Sequence, residues 1–195
     1  MLVFEVEKFK SRKIRYFENT FLRDYAPADL KEYEEVVSSF NDSYAFLSNF
    51  YYSQIKYEGH TFMTLEHCFQ AQKAVTDQDK RVIMSAPTPE KARKLGNDMK
   101  LREDWEEVRL KILTECIRIK FEPDSTLADK LIGTGSKLLV DGNYSHEMFY
   151  GSCLCDDHKN QPGQNILGKS LMRWRNRLNK LMTRVTFSDD VAYIP

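Results

Sequence analysis

The order of periodic segments predicts an α+β domain, mainly helical with a few short strands. Three observations carry that expectation. Over Asp104–Phe121 the residues Trp105, Val108, Ile112, Leu113, Cys116 and Ile119 recur at helical spacing and form one apolar stripe, which marks a central buried helix. Strand-like runs are short: Gln54–Met63, turned at Glu58-Gly59, then Leu138–Val140 and Met148–Gly151 on either side of an Asp141-Gly142-Asn143 turn. A chain of 195 residues is long enough to bury a sizeable core in one domain and leaves little room for a second.

Taken in order, residues 1–39 are a charged and aromatic prelude. Leu2–Val6 and Lys13–Phe17 are strand-like, and Pro27–Val37 follows a helical pattern with Leu30, Tyr33 and Val37 on one face. This segment is expected to be an extension packed on the core, with residues 40–182 as the main domain and 183–195 as a tail. From Phe40 to Phe50 short polar residues interrupt aromatics, a turn wrapped in rings that suits a pocket wall. Ser48 and Asn49 either satisfy their own backbone or meet a ligand.

Thr64–Lys73 reads as a helix with Thr64 at the N-cap and Leu65, Cys68, Phe69 and Gln72 on its packed face. Asp77–Ser85 is a short continuation. Thr88-Pro89-Glu90 opens the next helix with a cap, a proline and an early acid, and Gly96 is expected to end it. Asp124 or Ser125 caps a helix through Ile132 that Gly133-Thr134-Gly135 breaks, and a polar surface loop joins Cys155 to Gly163. The last helix is expected from Gly163 to Leu181, and its free amides would form an anion site.

Composition excludes several classes. Lys+Arg and Asp+Glu are 29 each, so no global field attracts nucleic acid. The basic run Lys169–Arg184 carries Leu167, Leu171, Trp174, Leu178 and Leu181 through and around it, as expected of an amphipathic helix with a basic outer face. No apolar run approaches the roughly twenty residues of a membrane span. Met1–Lys13 lacks the apolar core of a secretory signal, and a cytoplasmic location is expected. Four cysteines are too few and too irregular for a disulfide framework. Cys153-x-Cys155 with His146 and His158 can be drawn as a zinc site, but its spacing is not that of the common knuckles, and neither metal nor cofactor is expected.

One polar pattern stands apart. Glu66, Gln70 and Lys73 recur at i, i+4 and i+7, so a carboxylate, an amide and an ammonium line one stripe of the Thr64–Lys73 helix. A solvated charged face is the ordinary reading of such a stripe. Facing a cleft, Glu66 would instead steady positive charge or activate water, and Gln70 and Lys73 would hold a polar, phosphorylated substrate. Trp105 is either core or a flat wall for a base.

Several local patterns, in order, resemble the YbiA-like or NADAR family. They are Phe46-Leu47-Ser48-Asn49-Phe50, the Thr64–Lys73 stretch, Leu101-Arg102-Glu103-Asp104-Trp105-Glu106-Glu107-Val108, Lys120-Phe121, Thr134-Gly135, Leu139-Val140-Asp141, Tyr150-Gly151, and Gly163-x-Asn165-x-Leu167-Gly168-x-x-Leu171-Met172. The similarity runs from about Phe40 to Leu178. It implies a compact, mainly helical α+β fold and an N-glycosidase acting on phosphoribosyl- or ADP-ribosyl-linked bases, riboflavin-synthesis intermediates among them. It further implies that Glu66 is the catalytic carboxylate, Trp105 a pocket wall, and Ser48, Asn49, Gln70, Lys73, Arg102 and Asn165 contacts to ribose, phosphate or base.

Where the family has an Asp and a Trp before glycine, this chain has Glu147 and Tyr150 ahead of Gly151, and Ser152-Cys153-Leu154-Cys155 replaces a glycine-rich stretch. Glu147 is the expected second carboxylate, Tyr150 a substrate contact. Breaking an N-glycosidic bond builds oxocarbenium-like charge at the ribose C1, which Glu66 would stabilise while directing water. Two rivals stand beside this reading: a module of the same fold that binds ADP-ribose without hydrolysing it, and nucleic-acid binding through the basic last helix. Nucleic acid is otherwise expected only as an ADP-ribosylated substrate, and the expected partner is a small nucleotide.

Overall fold

The computed structural model describes residues 35–158, 161 and 163–189, with side chains to 183. The strands expected at Leu2–Val6 and Lys13–Phe17 and the start of the Pro27 helix lie outside the described residues, as does most of the tail. The described chain is mainly helical with small sheets, and it sorts into two compact units. One holds Leu47–Leu127; the other combines the chain up to Phe46 with the chain from Ala128 onward.

In the Leu47–Leu127 unit a hairpin leads into a cluster of helices. Strands β2 (Tyr52–Tyr57) and β3 (His60–Thr64) pair antiparallel, Ile55 opposite Phe62 and Tyr57 opposite His60. Glu58 and Gly59 turn the chain with φ of +48° and +76°, the double left-handed geometry that matches strand twist in a two-residue hairpin. Ile55 and Phe62 are buried, and β2 packs on the long helix α4 (Trp105–Lys120).

Helix α1 (Leu65–Ala71) starts directly from β3, capped by the Thr64 hydroxyl, which accepts the His67 amide at 3.2 Å. It packs against α2 (Asp77–Met84), α3 (Pro89–Asp98) and α4, and every one of its residues is buried. His67 is a core residue: Nδ1 is 2.8 Å from Thr64 Oγ1 and Nε2 is 3.1 Å from the Ala86 carbonyl. On α4 the buried face is Trp105, Ile112, Leu113, Cys116, Ile117 and Lys120, so the expected stripe passes through Ile117 and Lys120 in place of Ile119, with Val108 half-buried. Gly96 lies inside α3 and does not end it, since a buried face against α1 is stabilised by packing that outweighs the roughly 1 kcal/mol propensity cost of a helical glycine.

In the other unit β1 (Val36–Val37) pairs parallel with β4 (Leu138–Leu139). Val37 therefore closes no helix; two consecutive β-branched residues, stiff at χ1, favour the strand. Helix α5 (Thr126–Ile132) precedes β4. β5 (Gly142–Asn143) pairs with β6 (Ser152–Cys153), so the expected turn is a strand and the expected strand at Met148–Gly151 is displaced to its end. The displacement has a cause: the carbonyls of residues 148–151 bond the start of the last helix instead of a sheet. That helix, α6 (Ile166–Asp189), starts three residues later than expected and packs on β4, with Leu167, Leu171, Met172, Trp174 and Leu178 buried. Its basic face is not wholly outward. Arg175 is buried with Nη1 on the Thr134 hydroxyl (2.8 Å) and the Lys137 carbonyl (2.9 Å), and Lys169 is buried too, which pushes its ammonium down to about 8.

Candidate active site

The carboxylate and the amide of the polar stripe are buried, and Lys73 is half-buried. Glu66 is 1 % exposed and Gln70 4 % exposed, which removes the solvated reading and poses an energetic question, since a carboxylate taken out of water needs partners. Those partners come from α3. Arg93 grips Glu66 with a fork, Nε on Oε1 at 2.8 Å and Nη2 on Oε2 at 3.2 Å. Gln70 Nε2 donates to the same Oε1 at 2.8 Å. Further along, Lys73 Nζ donates to Asn97 Oδ1 at 2.8 Å.

Two stripes thus meet. Glu66 and Gln70 lie on one face of α1, and Lys73 follows two residues past its end, since the helix expected to reach Lys73 stops at Ala71; Arg93, Gly96 and Asn97 descend the facing side of α3. Gly96 is what lets Gln70 in: a Cβ there would overlap Gln70 Oε1 and lie 2.9 Å from Gln70 Cβ. Burial lowers the Lys73 ammonium from its ordinary value, with Glu66 opposing the shift and Arg93 reinforcing it. A carboxylate offers about four acceptor positions. Three bonds reach Glu66, two on Oε1 and one on Oε2, so Oε2 keeps capacity for a further donor.

The aromatic loop before β2 is tied to the same place. Glu66 N–H donates to the Asn49 carbonyl at 3.0 Å, and the Arg93 guanidinium carbon lies 4.4 Å from the centre of the Phe50 ring. Lys120, buried on α4, donates to the Ser48 carbonyl at 2.6 Å and lies 5.5 Å from the Tyr51 ring centre. Burial pushes its ammonium down to about 7. Ser48 Oγ accepts the Phe50 amide at 3.1 Å, a local turn. Asn49 Oδ1 differs: it is buried and has no partner among the described residues. A buried acceptor without a donor is costly, and a ligand hydroxyl or amine is one way to satisfy it.

Trp105 is 4 % exposed and packs on Phe69 with ring centres 5.1 Å apart, while Lys73 Nζ lies 5.8 Å from its indole. Arg102 directs its fork at Asp104, at 2.5 Å and 2.9 Å, and its backbone amide donates to the Lys73 carbonyl.

Glu147, Tyr150 and Asn165 belong to the other unit. Glu147 binds its own loop, accepting Phe149 N–H at 2.9 Å and Gly151 N–H at 2.6 Å. Tyr150 stacks edge-on against Phe149, ring centres 4.8 Å apart. Asn165, in a left-handed conformation at φ +50°, donates from Nδ2 to the Leu139 carbonyl and accepts Asp141 N–H on Oδ1, so both ends of its amide hold backbone. The anion site expected at the start of the last helix is not formed: the amides of Gln164, Asn165, Ile166 and Leu167 donate to the carbonyls of Met148, Gly151, Phe149 and Tyr150. Free helix-start donors are the physical basis of such a site, and these are spent.

Sequence reasoning missed Arg93, Asn97 and Lys120. Arg93 and Asn97 stand 27 and 24 residues from their partners, beyond any local periodicity. The available signal was Gly96, a small residue within a helical pattern on the same face as Arg93, which marks a close approach.

Comparison with known proteins follows the same lines. The NADAR domain model matches residues 34–179. An N-glycosidase from Nostoc punctiforme is 35% identical over 145 residues, covering 72% of this chain and 89% of that one. The N-glycosidase YbiA of Escherichia coli is 33% identical over 142 residues, covering 72% and 85%. Its NMR structure superposes with a TM-score of 0.62, 30% identity and coverage of 80% of this chain and 86% of that one. A riboflavin biosynthesis protein of Vibrio vulnificus is 29% identical over 142 residues, 72% of this chain and 37% of its own length. A family model spanning most of the chain, joined to relatives above 30% identity over most of their own length, identifies this chain as a member of the NADAR domain family.

Proposed function

We propose that this chain hydrolyses the N-glycosidic bond of a phosphoribosyl- or ADP-ribosyl-linked base. The reaction class, hydrolysis of an N-glycosyl bond, is the one its curated relatives are named for, and the chain is an enzyme of that class. A cytoplasmic setting is part of the proposal. The observation that carries the reading is the buried Glu66 carboxylate, held by Arg93 and Gln70 with acceptor capacity left on Oε2.

The chemistry asks for a negative charge of fixed position beside the ribose C1 as the bond to the base lengthens and oxocarbenium charge develops. Glu66 supplies it, and the fork holds the carboxylate in one orientation, so little reorganisation accompanies the reaction. Oε2 accepts a proton from the attacking water or from a ribose hydroxyl. Lys73 meets a phosphate as a point charge, and the unpaired Asn49 Oδ1 takes a donor of the substrate. Trp105, Ser48, Gln70 and Arg102 belong to this proposal as lining and support. Glu147 and Tyr150 are proposed as a second carboxylate and a substrate contact, and the amides that Glu147 accepts hold its carboxylate in place.

The test is incubation of purified protein with phosphoribosylamino-pyrimidine, ADP-ribosylguanosine, NAD and ADP-ribose, followed by mass spectrometry of released base. Wild type is expected to release base from one of the four, and Glu66→Gln to release it on the order of 10³-fold more slowly while still unfolding cooperatively, at a lower melting temperature because the buried pair with Arg93 is broken. Glu147→Gln is expected to fall by a smaller factor. Full activity in Glu66→Gln would sink the mechanism; whole ligand recovered bound to wild type would favour a binding module of the same fold.

A further inference from the structure

Away from Glu66, four side chains outside the reading above converge in the β5–β6 region. Cys153 ends β6, Cys155 lies two residues on, His158 closes the short helical turn Asp156–His158, and His146 sits in the loop leaving β5. Nothing local brings His146 to the others: it is nine residues from Cys155 and twelve from His158. Yet the four ligand atoms all lie within 4.8 Å of one another. Cys153 Sγ and Cys155 Sγ are 3.2 Å apart, His146 Nδ1 and His158 Nδ1 3.2 Å apart, and Cys155 Sγ lies 3.1 Å from His158 Nδ1 and 3.6 Å from His146 Nδ1.

Those separations have a template. A tetrahedral zinc ion with Zn–S near 2.3 Å and Zn–N near 2.0–2.1 Å sets its ligands about 3.8 Å apart for two sulfurs, about 3.6 Å for sulfur and nitrogen, and about 3.4 Å for two nitrogens. Of the four separations above, one matches and three are shorter by up to about 0.6 Å, and no pair of ligand atoms is more than 4.8 Å apart. Two sulfurs and two imidazole nitrogens are also the donor set that selects zinc over oxygen-seeking magnesium or calcium.

We propose that His146, Cys153, Cys155 and His158 form a four-coordinate structural zinc site. All four positions are protein side chains, so the ion has no open place for water or substrate, and its work is to clamp the loop. The ligands bracket residues 147–152, between His146 and Cys153. At the entry to that bracket Asn143 Oδ1 accepts the amides of Ser145 and Glu147 and Asn143 Nδ2 donates to the Glu147 carbonyl, and within it Glu147 holds the amides of Phe149 and Gly151. Carbonyls from the same stretch cap α6. The metal would therefore fix both the loop that carries Glu147 and Tyr150 and the entry to the longest helix. A Cys153–Cys155 disulfide is the rival use of the two thiols, but it gives the two histidines no role, and their Nδ1 atoms would still face each other across 3.2 Å.

The experiment uses the full chain without a histidine tag, grown in zinc-supplemented medium and desalted in reducing buffer. One zinc per chain is expected by elemental mass spectrometry. Replacement by cobalt is expected to give tetrahedral d–d absorption together with a thiolate-to-cobalt charge-transfer band. Cys155→Ser and His158→Asn should lose the metal. His146→Asn, changed at the exposed ligand and so the variant most able to fold, should yield zinc to a chelator at least tenfold faster. Three results would each overturn the site: a zinc-free, spectroscopically silent wild type; a Cys153–Cys155 disulfide in freshly reduced protein; or undiminished metal in both His146→Asn and Cys155→Ser.

Discussion

Arg93 does for Glu66 what no other cation could do from the same helix. Its guanidinium delivers two parallel donors to one carboxylate and spreads its charge over the face of Phe50, whereas an ammonium would supply one point contact. Arg93→Lys is accordingly expected to keep the ion pair and lose the orientation, lowering kcat about 10–100-fold with a smaller change in KM. Lys73→Met should show the opposite split, with KM raised about tenfold for a phosphorylated substrate and kcat nearly intact. Steady-state kinetics on the substrate identified by base release would check both, and equal losses in kcat for the two variants would count against this division of labour. Residues of this kind differ in how legible they are. Glu66, Gln70 and Lys73 announced themselves by their spacing on one helix. Arg93 did not, because a partner across a helix–helix contact leaves no trace in local periodicity.

At the scale of elements, the decisive contact is α1 against α3, and its narrowest point is Gly96. The glycine permits backbone and Gln70 side chain to touch, and Gln70 in turn donates to Glu66. Gly96→Ala adds one methyl where no room exists, so a loss of about 1–3 kcal/mol is expected in spite of alanine's better helix propensity. A double-mutant cycle with Gln70→Ala, measured by urea unfolding, should recover part of that loss, since the change removes the overlap with Oε1 and leaves the contact with Cβ. Additive effects would show that the strain lies elsewhere. Helices with apolar stripes and signalled caps, such as α1, α3 and α4, were readable from residues alone to within one or two positions, and so was the Glu58-Gly59 turn. Elements around Asn165 were not, for a physical reason. Residues 148–151 read as a strand, but their carbonyls go to the amides at the start of α6, a long-range exchange that moves the strand to Ser152–Cys153 and removes an anion site at once.

Across the whole molecule, burial of lysines gives stability a defined pH dependence. Lys120 is held down to about 7 and Lys169 to about 8, both by desolvation, and Lys73 is lowered for the same first cause. A base whose folded pKa lies below its unfolded value opposes folding most strongly where both states would be protonated. Between the two values the unfolded chain carries protons that the folded chain has shed. Stability therefore rises with pH through that window, beginning near 7. The rise meets an opposing set. Cys68, buried and bonded to Cys116 at 3.3 Å, and Tyr57, desolvated and donating to Glu115, both have raised values, so above about 9 the unfolded chain begins to lose protons that the folded chain retains and the rise driven by the three lysines slackens. Urea unfolding at about pH 6.5, 7.5, 8.5 and 9.5 is expected to show stability rising from 6.5 to 8.5 and flattening toward 9.5. Lys120→Met tests the assignment. Its side chain fills a similar volume and cannot be charged, so the variant should gain on wild type as pH falls toward 6.5, by an amount on the order of a few kcal/mol less the bond to the Ser48 carbonyl. A variant whose stability follows that of wild type in parallel at every pH would show that Lys120 keeps its charge in the folded protein, bonded to Ser48 and resting between the rings of Tyr51 and Phe121.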